Sequence, residues 1–134
     1  MKKHTLMIAI GIAVLLLGLY AFRFAQTTYD YQLVTTIESV VPGGLGRSRM
    51  ITSTVDGAME EKEMKNFFSL TGINFKNVKE NDKMITDKVT EMTTNGWELV
   101  NVTSGVYSPG VGSDAASAGA GIFITRYLFK KQKG

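Results

Sequence analysis

An uninterrupted apolar run near the N-terminus constrains this chain more than any other feature of its sequence. The stretch from Leu6 to Phe22, LMIAIGIAVLLLGLYAF, contains no charged residue, and Tyr20 is its only polar side chain. A helix needs about 20 mostly apolar residues to cross a bilayer core, whereas the core of a signal peptide has about 7 to 15. The run is closer to the spanning length. We therefore predict one membrane span, Leu6 to Phe22, within an N-terminal anchor of residues 1–25.

A removable signal peptide and a buried core helix are the alternatives for this run. A signal peptide is cut after small residues, but cleavage after Ala25 would place Arg23 at the third position before the cut, and cleavage after Ala21 would place Leu19 there. A core helix is disfavoured because the run is apolar on all sides and has charged residues at both ends. These features favour a retained anchor.

The positive charge of the chain is confined to its first residues. Lys2, Lys3 and Arg23 account for the whole formal net charge of +3, so residues 26–134 are neutral overall. Nucleic-acid binding requires a basic surface on the folded domain, and we therefore expect no nucleic-acid partner. The excess of lysine before the run predicts a cytoplasmic N-terminus and a periplasmic or extracellular domain, with the lipid bilayer as one partner.

The composition argues against catalysis. The chain has no cysteine, and its single histidine, His4, precedes the apolar run. Residues 26–134 therefore lack a thiolate nucleophile, an imidazole base and the commonest zinc ligands. We expect no enzymatic activity, no cofactor and no metal.

Alternating and helical patterns predict the fold of residues 26–134. Tyr29 to Val41 alternates as a strand, and we expect its set Tyr29, Tyr31, Leu33, Thr35 and Ile37 to face the core. The segment after Pro42–Gly46 is expected to return as a second strand and form a hairpin. The prediction is an α+β domain with an antiparallel sheet of about four strands and two helices on one face.

Two segments have the composition of those helices. The segment AMEEKEMKNFFSL follows a capping Asp56–Gly57 pair, and its carboxylates suit the start of a helix. The second helix is predicted from Asn77 to about Thr94, with Val78, Ile85, Val89 and Met92 along one side. Gly96 is the expected end of this helix, because glycine readily adopts a positive φ.

The only tryptophan follows that glycine. Trp97 begins the predicted strand WELVNVTSGVY, in which Leu99 should share its face, and we expect the indole ring to cover the helix end rather than to stack on a ligand. The predicted last strand, IFITRYLFKK, has Phe123, Thr125, Tyr127 and Phe129 on one face.

The segment from Gly96 to Val100, GWELV, resembles the signature of a family of small bacterial domains of unknown function. Those domains open with a Tyr-x-Tyr-x-Val-Val strand, which Tyr29 to Val34 approximates. The loops Pro42–Asn77 and Ser108–Gly121 are longer here than in the family. Because the family has no assigned activity, the resemblance implies a fold and no catalytic residues.

Two glycine-containing loops match sequence patterns of anion-binding sites. Gly110 to Ala115 matches a dinucleotide fingerprint, but no long helix and no later acidic residue follow it, so we do not expect a nucleotide. Gly43 and Gly44, with Arg47 and Arg49, could hold an anion through freed backbone amides and guanidinium groups, although two solvated arginines on a flexible hairpin would have the same pattern.

The expected function is that of an anchored, non-catalytic accessory subunit with protein partners in a larger membrane assembly. The alternative is an extracytoplasmic module that binds an anionic small molecule or a glycan at Arg47 and Arg49. An enzyme is the third and least favoured class.

Overall fold

The computed structural model describes residues 2–21, 27–41, 46–69, 72–108 and 121–134. Its elements, in chain order, are α1 (Lys2–Ala21), β1 (Tyr29–Val40), β2 (Arg49–Ser53), β3 (Met59–Glu63), β4 (Phe68–Ser69), β5 (Gly72–Ile73), α2 (Phe75–Thr94), β6 (Glu98–Tyr107) and β7 (Gly121–Gln132). The described residues do not include Phe22, Gly43, Gly44, the segment Gly110–Ala115 that matches a dinucleotide fingerprint, or nearly all of the loop Ser108–Gly121.

Five strands form one antiparallel sheet in the order β3-β2-β1-β7-β6, and β4 and β5 form a separate small hairpin. The first and last strands of the domain are the central pair, and they match along their whole length from Tyr29 opposite Gln132 to Val40 opposite Gly121. The edges of the sheet are β3 and β6. The prediction of about four strands with two helices on one face is wrong, because a fifth strand is present and, of the helices in the described residues, only α2 packs on the sheet core.

The predicted membrane span is also wrong. Within the part of the chain that the structure describes, no helix is both long and apolar enough to cross a membrane. The helix α1 runs from Lys2 to Ala21 and begins with the polar stretch Lys2–Thr5. The predicted single-pass membrane localisation is therefore wrong as well, whereas the lipid partner stays a prediction.

The segment predicted as the first helix is a strand. Met59–Glu63 forms β3 and pairs with β2, with Glu61 opposite Ile51. Glutamate, lysine and methionine favour helices only by tenths of a kcal/mol per residue. Pairing with β2 satisfies one side of the β3 backbone, and this tertiary contact outweighs the local preference.

The buried face of β1 is opposite to the predicted one. Val34 and Thr36 are buried beneath α2, whereas Tyr31, from the set that was expected to face the core, is 57% exposed. Both alternating sets of β1 contain apolar and β-branched residues, so the pattern alone predicts a strand without showing which face is covered.

The helix α2 has a clear beginning and end. Asn74 is its N-cap, and the Asn74 side-chain oxygen accepts hydrogen bonds from the backbone N–H groups of Lys76 and Asn77 at 3.1 and 3.3 Å. The helix thus begins slightly before the predicted Asn77. At the other end Gly96 has a φ of +82°, which confirms the expected stop.

The core lies between α2 and the sheet. Its buried members are Val34, Met50, Met64, Met92 and Phe129, and Trp97 packs against them with part of its surface exposed. The expected role of Trp97 as a cover for the helix end is thereby confirmed. The predicted face of β7 is confirmed as well, because Phe129 is buried and Tyr127 packs on the same core.

A β-bulge in β6 changes its alternation. Leu99 lies opposite Phe129 and Asn101 lies opposite Leu128, so Val100 is an extra residue in the strand. Because of this extra residue, Leu99 faces the α2 side of the sheet together with Val102. Asn101 faces the other side, whereas regular alternation would place it on the same side as Leu99.

Candidate interaction surface

One face of the sheet has no covering layer among the described elements. Residues that lie opposite each other in antiparallel strands share a face, and the side turned away from α2 carries Leu33, Thr35 and Ile37 of β1, Ile51 of β2, and Ile124, Arg126 and Leu128 of β7. We call this side the open face. Large apolar side chains of α1 are 55–72% exposed, and the β4–β5 hairpin lies at the start of α2, so neither element covers it.

The centre of the open face is aliphatic and incompletely shielded. Leu33 lies opposite Leu128, and Ile37 lies opposite Ile124, which places four branched side chains along the two central strands. All four are half-buried, whereas their counterparts on the other side, Val34 and Phe129, are almost fully buried. The difference is the layer that α2 supplies.

Arg126 is the unusual member of the open face. It lies between Thr35 of β1 and Thr103 of β6, its side chain is exposed, and no described residue forms an ion pair or hydrogen bond with its guanidinium group. Two neighbouring lysines of β7 have partners: Lys130 Nζ is 3.3 Å from Glu98 Oε2, and Lys131 Nζ donates to the Asn95 carbonyl at 2.9 Å. The open face therefore presents an uncompensated positive charge among aliphatic side chains.

A notch adjoins Arg126 at the β6 edge. Gly105 faces the same side as Ile124, and no atom lies within 4 Å of the position that a Cβ would occupy there. The missing side chain leaves a concavity of about 360 Å³ between Thr103, Tyr107 and Arg126. A side chain from a binding partner could enter this notch and reach the guanidinium group.

Of the predicted anion-binding residues, Arg49 on β2 lies opposite Ile37 and therefore shares the open face, two strands away from Arg126 on β7. Arg47 and Arg49 line a concavity of about 370 Å³, but Glu61 and Glu63 line it too. The Nη1 atom of Arg49 is 2.6 Å from Glu61 Oε1, so that guanidinium group already has an anionic partner. An anion site formed with Gly43 and Gly44 stays a prediction.

A further groove of about 540 Å³ lies between α2 and the β2–β3 edge. Its charged lining is mainly acidic, with Glu60, Glu61, Asp87 and Glu91 against two lysines, and Lys88 Nζ is 2.7 Å from Glu91 Oε1. In the described parts of the chain, no three acidic or histidine side chains come together in a way that could hold a metal ion.

A buried amide organises the other side of the sheet. Asn81 of α2 is fully buried; its Oδ1 accepts from the Lys65 backbone N–H at 2.9 Å, and its Nδ2 donates to the Lys65 carbonyl at 2.8 Å and to Glu38 Oε1 at 3.2 Å. These bonds join α2, β1 and the segment after β3. Asn81 was not predicted, although it occupies the apolar stripe of α2 between Val78 and Ile85.

Glu38 is the acidic member of this network. Burial raises the pKa of the Glu38 carboxyl, the hydrogen bond from Asn81 opposes the rise, and the nearby Asp82 carboxylate adds to it. Because the pKa is higher in the folded state, that state holds the proton more tightly than the unfolded chain does. Stability is therefore lost as the pH rises from the ordinary glutamate range through the raised pKa.

Replacing Glu38 with glutamine should remove this part of the pH dependence, because the neutral amide cannot titrate and still offers an oxygen to Asn81 Nδ2. We expect the thermal midpoint of Glu38→Gln to fall less than that of the wild type as the pH rises from mildly acidic to neutral. The exposed Glu63→Gln variant is the control and should keep the wild-type slope. An unchanged slope in Glu38→Gln would contradict the assignment.

Comparison of the chain with family models, with curated proteins and with solved structures gives no match. The resemblance carried by Gly96 to Val100 accordingly stays a prediction, and the function must be argued from the surface itself.

Proposed function

We propose that this chain is a non-catalytic interaction module that binds a protein partner on its open face. A sheet with an apolar side is stable when a second layer covers that side. Here α2 supplies the layer on one side only, and Leu33, Ile37, Ile124 and Leu128 remain half-buried on the other. A partner surface of apolar side chains would complete the missing layer.

Arg126 carries the proposal because it defines the chemistry of that partner. An arginine without an anion inside an aliphatic surface favours a ligand that brings both apolar contact and a carboxylate, and charge-assisted bonds between arginine and carboxylate are stronger than neutral hydrogen bonds. The notch at Gly105 gives such a carboxylate side chain room beside the guanidinium group. The expected partner is thus an apolar protein surface with at least one aspartate or glutamate.

The composition supports a binding role in preference to catalysis. Residues 26–134 contain neither cysteine nor histidine, which removes the side chains that most often act as nucleophile and as general base near neutral pH.

Reversal of the charge at Arg126 tests the proposal. The full chain and its Arg126→Glu variant would be tagged, expressed in the native cell and purified, with bound proteins quantified by mass spectrometry. We expect at least a tenfold loss of the stoichiometric partner in Arg126→Glu, because a carboxylate would then face a carboxylate. Lys79→Glu, on the exposed side of α2, changes the net charge equally and should retain the partner.

Two results would contradict the proposal. Equal loss of the partner in Lys79→Glu would mean that net charge and not the open face decides binding. Recovery of the wild-type chain without any stoichiometric protein would remove the interaction role itself. Circular dichroism of both variants checks that the fold is retained, which is expected because both side chains are exposed.

A further inference from the structure

The two edges of the sheet are protected to very different degrees. The β3 edge has only five residues, MEEKE, and four of them are charged. The β6 edge has ten residues, and from Leu99 to Tyr107 it contains no charge and no proline. Short length and charge are the usual means by which an edge strand avoids pairing with another chain. The β3 edge has both, and most of the β6 edge has neither.

The backbone of β6 is accessible from its outer side. All ten of its residues are exposed, and no described strand pairs with that side. The exposed side chains include Val102 at 45% and Val106 at 64%. The helix α2 therefore does not overhang the edge, and an added strand would meet no described element.

We infer that two copies of this chain pair edge to edge through β6, antiparallel, with Ser104 on the twofold axis. The bulge at Val100 interrupts the alternation, so the regular stretch available for pairing runs from Asn101 to Tyr107. Antiparallel overlap of this stretch with itself is greatest when Ser104 lies opposite Ser104 of the second copy. A closed dimer of this kind is the commonest form of symmetric assembly.

This register also matches the side chains of the two strands. Val102 lies opposite Val106 of the second copy, and the same apolar pair recurs across the axis on the α2 side. Asn101 lies opposite Tyr107, and Thr103 lies opposite Gly105, on the side of the open face. The charged residue nearest to this stretch in β6, Glu98, is beyond the bulge, so no like charges meet at the axis.

The inference rests on the free backbone edge of β6 and not on the aliphatic centre of the open face, although Thr103 and Gly105 of the paired stretch also line the notch beside Arg126. In the dimer both α2 helices lie on one side and the two open faces join on the other. A single pair of strands buries less than the roughly 1,200 Å² of a standard interface, so we expect a weak, micromolar dimer.

Single-cysteine variants of the full chain provide the decisive test, since the wild-type chain has no cysteine. Directly opposite residues of antiparallel strands have Cα atoms about 4.5–5.5 Å apart, within the range that a disulfide spans. We expect Ser104→Cys to form a disulfide-linked dimer under mild oxidation at least tenfold faster than Lys62→Cys, at the corresponding place on the β3 edge.

The register is tested by a second pair of variants. Val102→Cys should not link to itself, because its two copies would lie about 13 Å apart along the strands. A mixture of Val102→Cys and Val106→Cys should give the mixed dimer. Self-linking of Val102→Cys as fast as that of Ser104→Cys would overturn the inference.

Sedimentation equilibrium measures the association without cross-linking. Ser104→Lys places two ammonium groups at the axis and should lower the association constant at least tenfold, whereas Thr90→Lys on α2 should leave it unchanged. Association driven by the exposed apolar side chains of α1 would survive in Ser104→Lys and would contradict the inference. A monomeric wild type whose edge captures another protein, lost in Ser104→Lys, would contradict it too.

Discussion

Replacement of Phe129 by alanine is expected to lower the free energy of unfolding by about 3–5 kcal/mol, the usual cost of truncating a buried phenylalanine. The Phe129 side chain is fully buried and belongs to the same cluster as Val34, Met50 and Met92. It lies on β7, between β1 and β6, so the cavity would open where α2 meets the middle of the sheet. Urea denaturation followed by tryptophan fluorescence measures the effect, because Trp97 packs against this cluster.

Phe123→Ala is the matched control for this experiment. Phe123 lies on the same strand and the same side of the sheet, but it is 39% exposed, and its ring is paired with Phe67 at a centroid distance of 6.2 Å. The same chemical change should therefore cost less than half as much. Equal losses at the two positions would show that the burial of Phe129 does not control stability.

Replacement of Asn81 by leucine is expected to lower the free energy of unfolding by about 2–4 kcal/mol, although leucine has a similar volume and is apolar. The substitution leaves the partly buried N–H and carbonyl of Lys65 without their side-chain partners and removes the donor to Glu38. The cost arises from these unsatisfied groups and not from a cavity.

The control is the same substitution at Asn95, at the exposed end of the same helix, whose side chain forms no hydrogen bond with any described residue. Its effect should remain within about 0.5 kcal/mol. If Asn81→Leu were neutral or stabilising, the amide network would be dispensable and the segment after β3 would be held by packing alone. Thermal and urea denaturation of the three proteins distinguish these results.

The parts of the fold that depend on local chemistry could be predicted from the sequence. Gly96 ends α2 because few other residues adopt its φ, and the apolar spacing of Val89 and Met92 indicates which side of the helix is buried. The buried side of β7 was also predicted from its alternation, because the set that contains Phe129 and Tyr127 is the aromatic one, whereas the other set contains the charged Arg126.

The parts that depend on distant contacts could not be predicted. The MEEKE segment has a helical composition, and only the free side of β2 makes it a strand. In β1 both alternating sets are apolar enough to be core, and the position of α2 decides between them. The apolar run from Leu6 to Phe22 likewise did not by its length alone establish a membrane span.

The candidate interaction surface could not be predicted either, because it too depends on contacts between distant segments. Arg126 appears in the sequence as an ordinary solvated residue of a strand, and only the missing layer beside it makes its position unusual. Asn81 could have been noticed, since a polar residue in the apolar stripe of a helix usually has buried partners.

The pairing of the first and last strands has a consequence for how this domain acquires its structure. Tyr29 meets Gln132 at one end of the central ladder, so the middle of the sheet joins segments from opposite ends of the domain. Contacts between such distant segments slow folding, because a long loop must close before they form. During synthesis the sheet cannot be completed until the ribosome has released the last strand, and until then the apolar residues of β1 need protection from aggregation.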